Sequence, residues 1–124
     1  LLSNDDERHP KFNKKFKDIS NLPLGESLKN VIERLMPFWE DYFEKIKNNQ
    51  GNHLIVAHSN SLRAIIKILD KLSEKEIVSV NIPTGVPLVY KFDLDFKIIE
   101  KKYLIDEETL KKKQEIVANQ GKVK

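Results

Sequence analysis

The chain has 124 residues, 40% of them apolar, with 22 lysines and arginines against 19 aspartates and glutamates. A net charge of +3 does not by itself indicate nucleic-acid binding, and the absence of cysteine excludes disulfides and thiolate metal sites. No apolar run approaches the roughly 20 residues of a membrane span, and Asp5, Asp6 and Glu7 near the start are unlike a signal peptide. We therefore expect one cytoplasmic domain over residues 1–124, with no membrane and no nucleic acid among its partners.

The first third of the chain divides into a loop and a helix. Residues 1–25 are rich in charge, proline and asparagine, which predicts a loop or lid with little regular structure. From Glu26 onward, apolar residues recur at helical spacing and predict a long amphipathic helix that bends near Pro37 and ends within residues 48–51. Trp39 lies in the apolar stripe of this helix and is expected in the core.

Residues 54–57 are an uninterrupted apolar run that stops at His58. Such a run is typical of a strand covered on both faces, as in a parallel α/β sheet. A helix is expected to follow from near Ser61. His58 is therefore predicted at the carboxyl end of a buried strand, where open α/β sheets bind their ligands.

The rest of the chain continues to alternate helix and strand patterns. The predicted elements are an amphipathic helix through Leu69, a short helix capped at Ser73, a turn at 83–87, a strand at 88–92, a bend at 93–95, a return strand at 98–104, a helix over 109–117 and a flexible basic tail at 118–124. This order indicates an α/β fold with a mixed sheet. Only about three strands are visible against about 5 to 6 in an average sheet, so we expect the missing strands before Leu1.

The strand-to-helix junction collects groups suited to a phosphoryl group. His58 contributes an imidazole, Asn60 and Ser61 contribute polar side chains at a helix start, and Arg63 contributes a guanidinium. The first N–H groups of a helix have no intrahelical partner and attract anions. Phosphoryl transfer is therefore the chemistry that these residues favour.

Other chemistries fit less well. Ser59 has the small neighbours of a hydrolase nucleophile, but no histidine follows it in the chain to act as its base. The acidic cluster at 5–7 with His9 matches no EF-hand or zinc motif, and the isolated glycines form no phosphate-binding loop.

Three separated motifs resemble one known family. They are Ala57-His58-Ser59-Asn60-Ser61-Leu62-Arg63, Asn81-Ile-Pro-Thr-Gly-Val-Pro-Leu-Val-Tyr90 and Val117-Ala-Asn-Gln-Gly-Lys122, supported by Asp5-Asp-Glu-Arg8, Glu26-Ser-Leu28 and Pro37-Phe-Trp39. In this order they are similar to the 2,3-bisphosphoglycerate-dependent phosphoglycerate mutases of the histidine phosphatase superfamily. The resemblance implies a three-layer α/β/α sandwich, of which residues 1–124 would be the C-terminal part.

The resemblance also implies an activity and roles for particular residues. Such enzymes interconvert 3-phosphoglycerate and 2-phosphoglycerate in glycolysis, use 2,3-bisphosphoglycerate as phosphoryl donor without a metal, and are dimers or tetramers. His58 would be the second histidine of the pocket, while Ser59 and Asn60 would contact substrate phosphate. Ser59 stands where the family has glycine, so its side chain is expected to crowd the phosphate or shift the backbone.

The phosphorylated histidine of the family lies in an Arg-His-Gly motif that this sequence lacks. Arg8-His9-Pro10 shares only its first two residues, so the acceptor is expected outside this chain and residues 1–124 alone are expected to be inactive. The basic tail with Lys122 would cover the site and exclude water. The alternatives are a phosphatase or bisphosphoglycerate mutase of the same superfamily, and a non-catalytic fragment.

Overall fold

The computed structural model describes residues 5–16, 18, 19 and 25–120. These residues form four α-helices and one two-stranded antiparallel sheet, and the elements follow one another as α1 (Leu28–Asn48), α2 (Ser59–Leu69), α3 (Glu74–Ser79), β1 (Leu88–Phe92), β2 (Ile98–Tyr103) and α4 (Glu107–Asn119). This is an incomplete α/β arrangement, as the sequence predicts.

The segment before α1 has more local structure than the predicted loop. Two short 3-10 helices, Pro10–Phe12 and Lys14–Phe16, follow His9, whose Nδ1 accepts the amide of Lys11 at 3.1 Å. His9 is only 4% exposed. Whether the segment acts as a lid stays a prediction, and part of it lies outside the described residues.

Helix α1 confirms the predicted long amphipathic helix. Ser27 caps its N-terminus by accepting the amide of Asn30, and Pro37 lies inside it. Val31 and Trp39 are buried, and α1 packs on α2. The indole of Trp39 therefore belongs to the core, as its position in the apolar stripe indicates.

Helices α2 and α3 follow from local capping signals and apolar spacing. Helix α2 begins at Ser59, two residues before the predicted start, because His58 serves as its N-cap. Its buried side chains are Ala64, Ile65 and Ile66. Helix α3 has the predicted cap at Ser73, and the Ser73 amide completes it by donating to the Glu76 carboxylate.

The predicted turn and hairpin are both present. Gly85 has φ +72°, a conformation that favours glycine, and Pro83 before it is fully buried. The strands β1 and β2 pair antiparallel, with Leu88 opposite Tyr103 and a bulge near Phe92. In the connecting bend, the Asp93 carboxylate accepts two backbone amides, which closes the hairpin.

Helix α4 is longer than the sequence indicated. Asp106 caps its N-terminus, and the helix continues through Asn119, after which the Gln120 amide donates to the Val117 carbonyl. Ala118 and Asn119, which the sequence placed in the flexible tail, are therefore helical. Residues 121–124 of the predicted tail, with Lys122, lie outside the described residues.

The prediction of a buried strand at 54–57 is wrong for this chain by itself. Residues 52–57 have no regular secondary structure, and Leu54 and Val56 are 84% and 86% exposed. A strand needs a hydrogen-bonded neighbour, and no described segment pairs with residues 54–57. The apolar pattern is intact, but the partner that would bury it is not among residues 5–16, 18, 19 and 25–120.

Candidate functional site at the start of helix α2

His58 is the residue that turns the extended segment into helix α2. Its backbone is extended, with φ −62° and ψ 148°, and its carbonyl accepts the first helical bond from the amide of Leu62 at 3.0 Å. Its ring Nδ1 accepts the Asn60 amide at 3.4 Å, a long and weak cap. The side chain is exposed, so it is open to a ligand.

The capping bond selects one form of the imidazole. An amide N–H can donate only to an unprotonated Nδ1, so the capping form of neutral His58 carries its proton on Nε2. That Nε2–H makes no hydrogen bond with a described residue. With this tautomer, His58 offers an Nε2–H hydrogen-bond donor at this position.

Ser59 and Asn60 form the first turn of α2 and are both exposed. The non-glycine residues with positive φ in the described chain are Lys71 and Phe96, so Ser59 does not adopt the backbone conformation that favours glycine. A serine here is conformationally unstrained. Any effect of the Ser59 side chain must therefore come from the space that its hydroxymethyl group takes.

Arg63 does not join the anion site in the way that the sequence suggested. Its Nη2 donates to the carbonyl of Ile77 at 2.7 Å, and its Nε is buried without a partner. The same carbonyl accepts the Val80 amide at the end of α3. Arg63 therefore ties the first turns of α2 to the C-terminus of α3, a role that required the tertiary structure to find.

Two further side chains, Asp70 and Gln114, form contacts that the sequence did not predict, and these contacts hold the hairpin and α4 in place. The Asp70 carboxylate, at the C-terminus of α2, accepts the Tyr90 hydroxyl at 3.1 Å and pairs with Lys101. Gln114 of α4 donates to the carbonyl of Asn81 at 3.4 Å. Both join residues more than nineteen positions apart, so no local pattern in the sequence signals them.

Burial raises the pKa of two tyrosines on the hairpin. The Tyr90 hydroxyl is half-buried and faces the Asp70 carboxylate, and both effects raise its pKa well above the usual range. Burial also raises the pKa of Tyr103, and the Asp70 charge adds to it. On the exposed edge, Lys102 and Lys91 lower the pKa of Glu100 to about 2.

The other histidines and the acidic loop do not join His58. The ring of His53 forms no hydrogen bond with a carboxylate of a described residue. Its Nε2 contacts the Asn49 carbonyl at 2.7 Å. Asp6 pairs with the Arg8 guanidinium at 2.7 Å, which lowers the pKa of the carboxyl. Within residues 5–16, 18, 19 and 25–120, no three histidine or acidic side chains group closely enough to hold a metal ion.

The apolar cavities lie beside the His58 junction and not at it. One of about 290 Å³ is lined by α1, α2 and the hairpin together with His53, Leu54 and Ile55. Another of about 580 Å³ lies between α1 and the bend at Phe96. Neither is lined by His58, Ser59 or Asn60, so in the described chain the junction is an open surface.

One protein-family model matches most of the chain. The model of the histidine phosphatase superfamily (branch 1) matches residues 2–101. The chain belongs to this superfamily.

Several curated relatives are similar over the whole chain, and each is named 2,3-bisphosphoglycerate-dependent phosphoglycerate mutase. The protein of Hydrogenobaculum sp. is 49% identical over 123 positions, that of Treponema denticola 48% over 126 and that of Parabacteroides distasonis 46% over 125. These alignments cover 98%, 100% and 99% of this chain, but only 50%, 51% and 50% of the relatives. The chain thus spans about half the length of the relatives it matches.

No helix in the described part of the chain is long and apolar enough to cross a membrane.

Proposed function

We propose that this chain is part of a phosphoglycerate mutase that interconverts 3-phosphoglycerate and 2-phosphoglycerate with 2,3-bisphosphoglycerate as phosphoryl donor. The observation that carries the proposal is the His58 junction, where an unpaired ring N–H, exposed polar side chains and a helix N-terminus occupy adjacent positions. The similarity to proteins of that name over nearly the entire chain supports it. We expect the protein in the cytoplasm, where glycolysis takes place.

The donor set of the junction fits a phosphate group. Nε2–H of His58, the amide side chain of Asn60 and the first-turn N–H of Ser59 are all hydrogen-bond donors, and the positive end of the α2 dipole adds to them. When bound, the bisphosphate would supply the phosphoryl group that primes an acceptor histidine. We place that acceptor outside this sequence, because no Arg-His-Gly motif occurs in it.

In this mechanism the residues of this chain hold and stabilise the phosphoryl group during transfer. His58 donates Nε2–H to an equatorial oxygen and thereby offsets the charge that develops there. Asn60 and the Ser59 amide hold further oxygens and fix the orientation of the group. Because Nδ1 is engaged with the Asn60 amide, the imidazole is oriented before substrate arrives.

The proposal can be tested in a fusion protein, hereafter the joined protein. In it, the half of the Treponema denticola protein that does not align with this chain is fused to residues 1–124. We expect mutase activity from the joined protein and none from residues 1–124 alone. His58→Ala should lower kcat in the joined protein by about 100-fold or more, the cost of one transition-state donor. His53→Ala is the matched control, since His53 is an exposed histidine whose ring contacts the Asn49 carbonyl and the Tyr42 ring.

Two outcomes would contradict the proposal. Mutase turnover by residues 1–124 alone would show that the acceptor lies within this sequence. A joined protein that releases inorganic phosphate from phosphoglycerates and forms no isomer would instead be a phosphatase, the class after which the superfamily is named.

The expected assembly is a dimer or tetramer, which sedimentation of the joined protein measures.

A further inference from the structure

The guanidinium of Arg63 has no carboxylate counter-ion among the described residues. Its Nη2 donates to the Ile77 carbonyl at 2.7 Å, and its Nε is buried without a hydrogen-bond partner. None of the ion pairs in the described part of the chain includes it. The carboxylate of Glu76, next to Ile77 in the sequence, accepts the Ser73 amide instead. Arg63 therefore carries a positive charge that no described carboxylate neutralises.

This charge lies close to the start of helix α2. Arg63 is four residues after Ser59, which is about 6 Å along the helix axis. The first turn of α2 contains no acidic residue, although a carboxylate there would be stabilised by the positive end of the helix dipole. The guanidinium and the dipole therefore add to each other at the His58 junction, and both favour an anion there.

Partial burial lets the Arg63 charge act over a longer distance than an exposed charge does. Water and salt screen exposed charges beyond a Debye length of about 10 Å at 0.1 M ionic strength, but they screen part-buried charges much less. A part-buried cation without a counter-ion also carries an uncompensated cost of desolvation. An anion at the His58 junction would offset part of that cost without touching Arg63.

We propose that Arg63 attracts the phosphate ligand of the His58 junction through space and thereby favours ligands of higher negative charge. The proposal rests on the proposed function, because it requires a phosphate group at this junction. Arg63 neither contacts the ligand nor transfers a proton, since a guanidinium keeps its charge throughout the physiological pH range. A bisphosphate gains more from this charge than a monophosphate does.

Coulomb's law gives the expected size of the effect. In water, two unit charges about 10 Å apart interact strongly enough to change a binding constant by about twofold. The change multiplies with each charge on the ligand. At about pH 8 inorganic phosphate carries about two negative charges, and 3-phosphoglycerate carries about three because it adds a carboxylate. Loss of the Arg63 charge should therefore weaken binding about fourfold for phosphate and about eightfold for 3-phosphoglycerate.

Lys67 provides a matched control on the same helix. Its Nζ donates to the Leu72 carbonyl at 2.9 Å, so it is also a part-buried cation on a backbone carbonyl. It likewise forms no ion pair with a described carboxylate. Lys67 is eight residues after Ser59, about 12 Å along the axis. Lys67→Gln removes the same charge at a greater distance and should weaken phosphate binding by less than about twofold.

Calorimetric titration of the joined protein with inorganic phosphate and with 3-phosphoglycerate tests the proposal. At low ionic strength, Arg63→Gln and Arg63→Met should show the fourfold and eightfold losses given above, whereas Arg63→Lys keeps the charge and should bind like the parent protein. Added salt should reduce these differences. Either uncharged variant decides the test once its circular dichroism matches that of the parent.

Three results would overturn the proposal. The first is an unchanged affinity in the uncharged variants, and the second is the same loss for both ligands. The third is an equal loss in Arg63→Lys and Arg63→Gln, which would show that Arg63 acts only through its bond to the Ile77 carbonyl. The proposed function fails separately: a joined protein with the expected affinities that forms no 2-phosphoglycerate would refute the mutase activity alone.

Discussion

Replacement of His58 by asparagine separates its two functions, capping of α2 and donation to phosphate. Asparagine is among the best N-cap residues, and its short side chain can accept the residue-60 amide that His58 Nδ1 accepts at 3.4 Å. It does not extend to the position of Nε2. His58→Asn should therefore retain the helix and lose the donor, whereas His58→Ala loses both.

The magnitudes follow from the geometry. Loss of an N-cap costs about 0.5 to 2 kcal/mol, and the long contact of His58 places this cap near the lower end. His58→Ala should therefore destabilise the joined protein by about 0.5 to 1 kcal/mol, while His58→Asn should be neutral or slightly stabilising. Both should lower kcat by about 100- to 1,000-fold, since one transition-state donor contributes about 2.7 to 4 kcal/mol.

Urea unfolding and steady-state kinetics of the joined protein measure the two effects independently. Loss of one transition-state donor should lower kcat by about 100-fold or more. If His58→Asn lowered kcat by less than about tenfold, His58 would be a structural cap and nothing more. If His58→Asn were as unstable as His58→Ala, the capping bond would be absent in solution. The His58 ring would then have no contact that fixes its proton on Nε2.

Three further predictions concern other parts of the structure. Arg63→Ala should destabilise the joined protein by about 1.5 to 3 kcal/mol in urea unfolding, since it removes a charged donor from a part-buried carbonyl; a change below about 0.5 kcal/mol would show that this contact is unimportant. Tyr90 and Tyr103 should ionise above the ordinary pKa of 10 in an absorbance titration. Their pKa values are raised in the folded protein, so their contribution to stability is present below pH 10 and is lost as pH rises above it. If both tyrosines ionised at the ordinary pKa of 10, burial would not raise their pKa values. Ser59→Gly should lower KM for 3-phosphoglycerate if the hydroxymethyl group crowds the phosphate, and an unchanged KM would show that the site accommodates serine.

Several parts of the fold were predictable because they depend on neighbouring residues. The stripe that buries Trp39 follows from helical spacing, the α3 cap follows from Ser73 and Glu76, and the turn at Gly85 follows from its allowed positive φ. The antiparallel hairpin has the same local origin. In each case the groups that interact are only a few positions apart.

The candidate site was predictable in its position and less so in its detail. The sequence placed His58, Ser59 and Asn60 at the start of a helix, and the structure has them at the N-cap and in the first turn of α2. Their contacts with phosphate stay predictions. The sequence did not predict that the ring of His58 would cap the helix, because an imidazole is not among the favoured capping groups.

By itself the sequence determined the helices, the hairpin and the location of the His58 junction, since periodicity, caps and turns act over short stretches of chain. The tertiary structure alone decided that Arg63 binds the Ile77 carbonyl, that Asp70 holds Tyr90, and that Leu54 and Val56 lie exposed. A long side chain can reach several partners, and a strand is buried only when another strand lies beside it. Both depend on residues distant in sequence.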